Sequence, residues 1–290
     1  MKIKLRFGFT LAVGLTLLLI AMPARLAAQT GSIEFTALVA PTDGQPQPVR
    51  QLTFSLIRKS LNDIRQEALQ SDPPPDLDKF ADSLTTSPKL KAWIKKTHTV
   101  NFGATNFAKS LTADDIMDVP EFYDAYMMRN EGFKGVGFPE PKFKEKDRTA
   151  NPEKYNRQKE EYRAAIHKFI EAVPESVQGI EADLIDINPA TKWEQLLSIH
   201  RQGLEKRTLE LAQTRYLVAK TDTNLEGRGW FGGIAPGNYW IGMLGAQAVS
   251  GDVRLRWDVP VTVQASETAR VELTNFNAAK PYTSARNSNE

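Results

Sequence analysis

The hydrophobic pattern of this chain changes period twice, and that limits it to a mixed fold. Ile33, Phe35 and Val39 alternate with Glu34 and Thr36, with Leu38 departing; Leu52, Phe54 and Leu56 alternate with Gln51, Thr53 and Ser55. A period of two places the apolar set on one face of a half-buried strand. Turn residues separate the two runs: Pro41, Asp43, Gly44, Pro46 and Pro48. Alternation resumes after Arg215 with Tyr216 and Val218, Trp230-Phe231, Tyr239 to Leu244, and finally Val271 and Leu273. The longest such run is Val253, Leu255, Trp257, Val259, Val261 and Val263, and Pro260 within it predicts an edge strand or a bulge.

Between Lys59 and Thr214 the spacing is helical. Ser87-Pro88 reads as an N-cap with proline in the first turn, followed by Leu90, Trp93 and Ile94 on one face. Thr112 with Asp115, and Asp118 with Glu121, have capping-box spacing, ahead of the stripe Ile116, Val119, Phe122, Tyr123 and Tyr126. Asn151-Pro152 opens the clearest helix, with Tyr155, Tyr162, Ile166, Phe169, Ile170 and Val173 on one side and Pro174 ending it. Asn188-Pro189 precedes another, carrying Trp193, Leu196, Leu197, His200 and Leu204. The stretch from Gly132 to Thr149, rich in glycine, proline and lysine, predicts an irregular loop.

The first 28 residues have a different character. Lys2, Lys4 and Arg6 precede an apolar run from Phe7 to Met22, and Leu26-Ala27-Ala28 offers a small residue before Gln29. A basic start, a short apolar stretch and a small-residue exit form a secretory signal peptide. The apolar run is shorter than the roughly 20 residues that cross a bilayer as a helix, so residues 1–28 are expected to be removed, leaving a mature chain with no membrane span. Secretion or a periplasmic location follows as an expectation. The chain has no cysteine, which excludes lipid attachment, disulfides and thiolate metal sites. Its 37 basic and 35 acidic residues give +2; without Lys2, Lys4, Arg6 and Arg25 the balance is 33 against 35, about −2. Such a balance predicts no general affinity for nucleic acid.

A family resemblance lies in the second strand region. Thr221-Asp222, a glycine-bearing turn, Trp230-Phe231 and then Pro236-Gly237-Asn238-Tyr239 resemble the carboxypeptidase regulatory-like domains, which are small transthyretin-like β-sandwiches. The opening strands joined by Asp43-Gly44 and Pro46 also fit. The resemblance covers about 110 residues in two pieces, and over its whole length the chain is also similar to exported bacterial proteins. It implies an α+β chain: a small antiparallel β-sandwich with a large α-helical insertion between its second and third strands. The expected organisation is a signal peptide (1–28), a discontinuous sandwich (29–58 plus 215–277), a helical insertion (59–214) and a disordered tail (278–290). The family implies a non-catalytic structural or binding module and brings no active-site residues.

Catalytic patterns are missing. His98, His167 and His200 stand alone in sequence, without a second histidine at metal-site spacing; a site joining His167 and His200 from facing helices is the remaining metal geometry. There is no Gly-x-Ser-x-Gly motif, phosphate loop or dinucleotide fingerprint. Adjacent carboxylates, Asp114-Asp115 and Glu160-Glu161, diverge around a helix axis. Asp222, Asn224 and Glu226 followed by Gly227 have the opening spacing of a calcium loop, but Gly233 stands where its bidentate glutamate belongs.

The chain is therefore expected to be an exported non-enzymatic binding or structural protein of the bacterial envelope or exterior, needing no cofactor. The alternatives are a carbohydrate-binding module using exposed tryptophans and a carboxylate-dependent hydrolase. Two places could meet a ligand or a protein or envelope partner. Tyr239, Ile241 and Met243 should face the core, which turns Trp240 to the other face, where either the helices cover it or it serves as a ligand platform. The loop from Gly132 to Arg148 mixes Phe133, Phe138 and Phe143 with Lys142 and Lys144.

Overall fold

The computed structural model describes residues 29–130 and 137–279. The fold is mixed α+β with antiparallel sheets. The described residues divide into two compact units, one formed by those up to 58 together with those from 217 on, the other by those between 59 and 216. The residues expected to form the signal peptide, and Phe133, lie outside the described residues.

The strands of the first unit are β1 (Gly31–Val39), β2 (Gln47–Pro48), β3 (Thr53–Ile57), β4 (Leu217–Asp222), β5 (Arg228–Ile234), β6 (Gly237–Gly242), β7 (Ala248–Ser250), β8 (Val253–Leu255), β9 (Asp258–Val263) and β10 (Thr268–Leu273). One sheet is built on β1, which pairs with β10 on one side and with β5 and β2 antiparallel. A second sheet runs β4-β3-β6-β9, antiparallel throughout, and β7-β8 form a small hairpin. The β1–β10 pairing is parallel, Phe35 opposite Val271, which corrects the expectation of a wholly antiparallel arrangement. The reason is connectivity: β10 reaches β1 from β9 in the other sheet, so no hairpin dictates its direction.

Alternation along β1 sends Ile33, Phe35, Ala37 and Val39 into one hydrophobic cluster, where Phe54 and Leu56 of β3 and Tyr239 and Ile241 of β6 meet them from the second sheet. Phe35 and Phe54 join the two sheets at 4.9 Å between ring centres. Trp257, fully buried, lies 5.9 Å from Phe54, and its Nε1 donates to the Thr274 carbonyl at 2.9 Å. The Tyr239 hydroxyl donates to the Ala235 carbonyl at 2.9 Å and so closes the Pro236-Gly237 corner.

The chain leaves β3 and returns in its antiparallel neighbour β4, with Ile57 opposite Leu217 and Leu56 opposite Ala219. Tyr216 itself belongs to a π-helical turn, Ala212–Tyr216, that ends the last helix, and strand β4 begins at Leu217. At the other end, Ala278 bridges Trp257 and the Ala279 amide donates to the Arg256 carbonyl at 2.8 Å.

The second unit contains α1 (Leu61–Ser71), α2 (Leu77–Ser83), α3 (Pro88–Thr97), α4 (Phe107–Ser110), α5 (Ala113–Asp118), α6 (Pro120–Arg129), α7 (Asp147–Ala150), α8 (Pro152–Ala172) and α9 (Ala190–Leu211). Its core is aromatic: Trp93, Phe102, Phe107 and Phe122 meet pairwise at 4.9–6.2 Å, mostly edge to face. Tyr162, Ile166 and Ile170 of α8 close it at helical spacing. Helix α1 lies along α9.

Candidate functional site

The loop residues singled out from sequence have mostly become packing. Phe138 is buried against Tyr126 and Phe169, and half-buried Phe143 sits edge-on to Tyr155 and Tyr162. Lys142 and Lys144 are the exposed members of that group. Burying a phenylalanine is worth about 1.5–3 kcal/mol, which is why the rings turned inward and the ammonium groups did not. Trp240 is half-buried in β6, opposite Ile57 and Pro260 in its two neighbours. Tyr239, Ile241 and Met243 are buried in the core.

The most exposed tryptophan is a different one. Trp230 of β5 is 59% exposed, and the strand that carries it, Arg-Gly-Trp-Phe-Gly-Gly-Ile, explains its pose. Gly229, Phe231 and Ile234 point inward; a Cβ on Gly229 would lie 2.2 Å from the ring of Phe35, so glycine there lets that ring fill the core. On the outer face, Gly232 does the same for Trp230. A Cβ on Gly232 would lie 1.9 Å from Cη2, 2.3 Å from Cζ2 and 2.7 Å from Cζ3 of the indole. The six-membered ring therefore rests on glycine backbone. Gly233 completes the device. Between the pairs Gly31–Ile234 and Ile33–Phe231, two residues of β5 face the single Ser32, and Gly233 takes up this bulge at φ +67.

The register sets the neighbours of the ring. Trp230 is opposite Glu34, and Glu34 is opposite Arg270, whose Nε lies 3.4 Å from Oε2 of Glu34. Beside this row lie Arg228, Thr36 and Glu272; on the other side Ser32 and Thr268 share a hydrogen bond of 2.7 Å between their hydroxyls. The face is thus polar and charge-balanced around one flat aromatic ring. The sequence marks Trp230-Phe231 as part of a strand but does not mark the display of the indole. The signal was the Gly-Gly pair directly after it, which marks a bulge and removes the side chain that would have stood under the indole.

The titratable groups of the helical unit take structural partners. His167 lies 2.9 Å from Asp114 through Nε2 and 3.4 Å from Glu171 through Nδ1. His200 Nε2 donates to the Asp72 carbonyl at 3.0 Å. Asp115 completes the capping box with Thr112, and Glu161 faces Arg157. Asp114 and Asp115 thus take separate partners. A cleft of about 380 Å³ next to Glu171 has Leu111, Ile170 and Val177 in its lining and Lys109 and Glu175 among its polar groups. Among the described residues no group of three His, Asp or Glu side chains is placed to hold a metal, and no helix is long and apolar enough to cross a membrane. At the turn read as a possible calcium loop, Asn224 Oδ1 accepts from the amides of Glu226 at 3.0 Å and Arg228 at 2.8 Å, and Asp222 accepts from the Thr53 hydroxyl at 2.6 Å.

No known family profile matches the chain, and no curated protein matches it. Among solved structures it is similar to the pilus backbone protein RrgB of Streptococcus pneumoniae, at 11% identity and a TM-score of 0.20, over 81% of this chain and 35% of that one. The chain spans about a third of the length of that protein, and a likeness at this score carries no argument about fold or function.

Proposed function

We propose that this chain is an exported, non-enzymatic binding protein of the bacterial envelope or exterior that works by contact through the outer face of β5, β1 and β10. The carrying observation is Trp230, 59% exposed on a pedestal of glycine backbone. The architecture proposed for it is a discontinuous sandwich of the carboxypeptidase regulatory-like kind, split by a helical insertion. Two sheets with one common core and the pairing of Ile57 with Leu217 support that reading. Export rests on the basic and apolar pattern of residues 2–28. The non-enzymatic reading draws support from the separate partners taken by His167, His200 and Asp115.

The test is co-sedimentation of the purified mature protein with envelope fragments of its host. The native protein should pellet with the fragments and Trp230→Ala should stay in the supernatant, with unchanged circular dichroism. Equal pelleting of both proteins would remove this face from the function.

A further inference from the structure

We propose that this face binds a β-linked sugar chain of gluco configuration, one pyranose ring lying flat on the Trp230 indole. The proposal rests on the binding reading above and names its ligand class. Several features point to a sugar. The six-membered ring packs over Gly232 while the residue stays 59% exposed, so much of its electron-rich surface faces solvent. Its rim is made of hydrogen-bonding groups: Glu34 directly across the ladder accepts, and Arg270 beyond it donates. A pyranose with equatorial substituents has the complementary pattern. Its axial C–H bonds form an apolar face with partial positive charge toward the ring, and its hydroxyls radiate around the edge.

Other macromolecules fit less well. A stable protein interface covers about 800 Å² per partner with an apolar centre, whereas one indole offers at most about 250 Å² and its surroundings here are charged. Nucleic acid bases also stack on tryptophan, but their phosphates require a cationic surface. Here Arg228 and Arg270 are matched by Glu34 and Glu272.

The experiment uses the full mature protein titrated calorimetrically with cellohexaose and with chitohexaose, and with a β-1,4-galactan hexasaccharide whose axial C4 oxygen disturbs the flat face. Saturable binding of at least one gluco-configured chain is expected, with the galactan at least tenfold weaker. Trp230→Ala should weaken binding at least tenfold. Gly232→Val keeps the indole but drives it off the backbone, and should weaken binding comparably; Glu34→Gln should cost a few-fold. Thermal melts of Trp230→Ala should match the native protein because the ring is outside the core. No binding of either gluco-configured chain, or native-like binding by Trp230→Ala, would overturn the proposal; equal binding of the galactan would overturn the configuration. If no sugar binds while envelope co-sedimentation still depends on Trp230, the sugar class falls and the binding face stands. If both fail, both readings fall.

Discussion

The two ends of the helical segment are tied together by one carboxylate. Glu67 on α1 accepts from Lys59 Nζ at 2.8 Å, from the Tyr216 hydroxyl at 2.5 Å and from Arg215 Nη1 at 2.5 Å. Lys59 and Tyr216 are the first and last residues of that unit. The hydrogen bond from Lys59, followed by that from Tyr216, holds the Glu67 carboxyl below its ordinary 4.5, and the same contact raises the Lys59 ammonium above 10.5. A carboxyl lowered by folding stabilises the protein fully above its unfolded value and loses that contribution as pH falls through the folded one. Glu67→Gln, which cannot ionise, should therefore melt below the native protein at pH 7, and the gap should narrow as pH drops below 4.5. Melting curves across pH 2.5–7 measure this (about one curve per half unit resolves a single titration); a gap independent of pH would show that the charge is not what binds the ends. Sequence alone could not find this cluster, because Glu67 and Arg215 are 148 positions apart.

At the scale of elements, local chemistry was readable where partners are neighbours and failed where they are not. The Thr112–Asp115 capping box forms as its spacing predicts. The same spacing at Asp118 and Glu121 does not: Val119 takes the cap position of α6, and the Glu121 carboxylate crosses to α3, accepting from the Ser87 amide at 2.6 Å and hydroxyl at 2.7 Å. The Ser87 hydroxyl in turn accepts from the Leu90 amide at 3.1 Å, so one residue caps α3 and fastens it to α6. Ser87→Ala should cost about 1 kcal/mol, or about 2–4 °C in melting for a protein of this size, followed by ellipticity at 222 nm. An unchanged midpoint would mean the cap is replaced by water. The alternating run from Val253 to Val263 likewise became two strands, β8 and β9, because buried Trp257 sits between them and turns its indole to Thr274. Pro260 does lie on an edge strand, since β9 ends its sheet.

At the scale of the whole molecule, each unit owns a separate hydrophobic cluster, one centred on Phe35, Phe54 and Trp257, the other on Trp93, Phe102 and Phe122. Because Ile57 is already opposite Leu217, a hairpin-sized loop suffices to close the gap. Replacing residues 59–216 by a short Asn-Gly loop should leave a β-rich protein with dispersed amide resonances. A collapsed, disordered spectrum would show that the sheets depend on the helical segment for folding.

What the sequence determined by itself was everything set by the period of apolar residues and by neighbours three or four positions away. The change from strands to helices and back, the caps at Ser87 and Thr112, and the inward set of Tyr239, Ile241 and Met243 are all of this kind. Tertiary structure decided which aromatic rings met solvent. Phe138 and Phe143 turned inward because an aromatic core stood within reach. Trp230 remained outside because β5 faces the core with its other side, and because Gly232 leaves room for its ring over the strand. Display of a side chain depends on which face the partner strands bury, and that is settled only when residues far apart in the chain, such as Glu34, Trp230 and Arg270, come to share one row of a sheet.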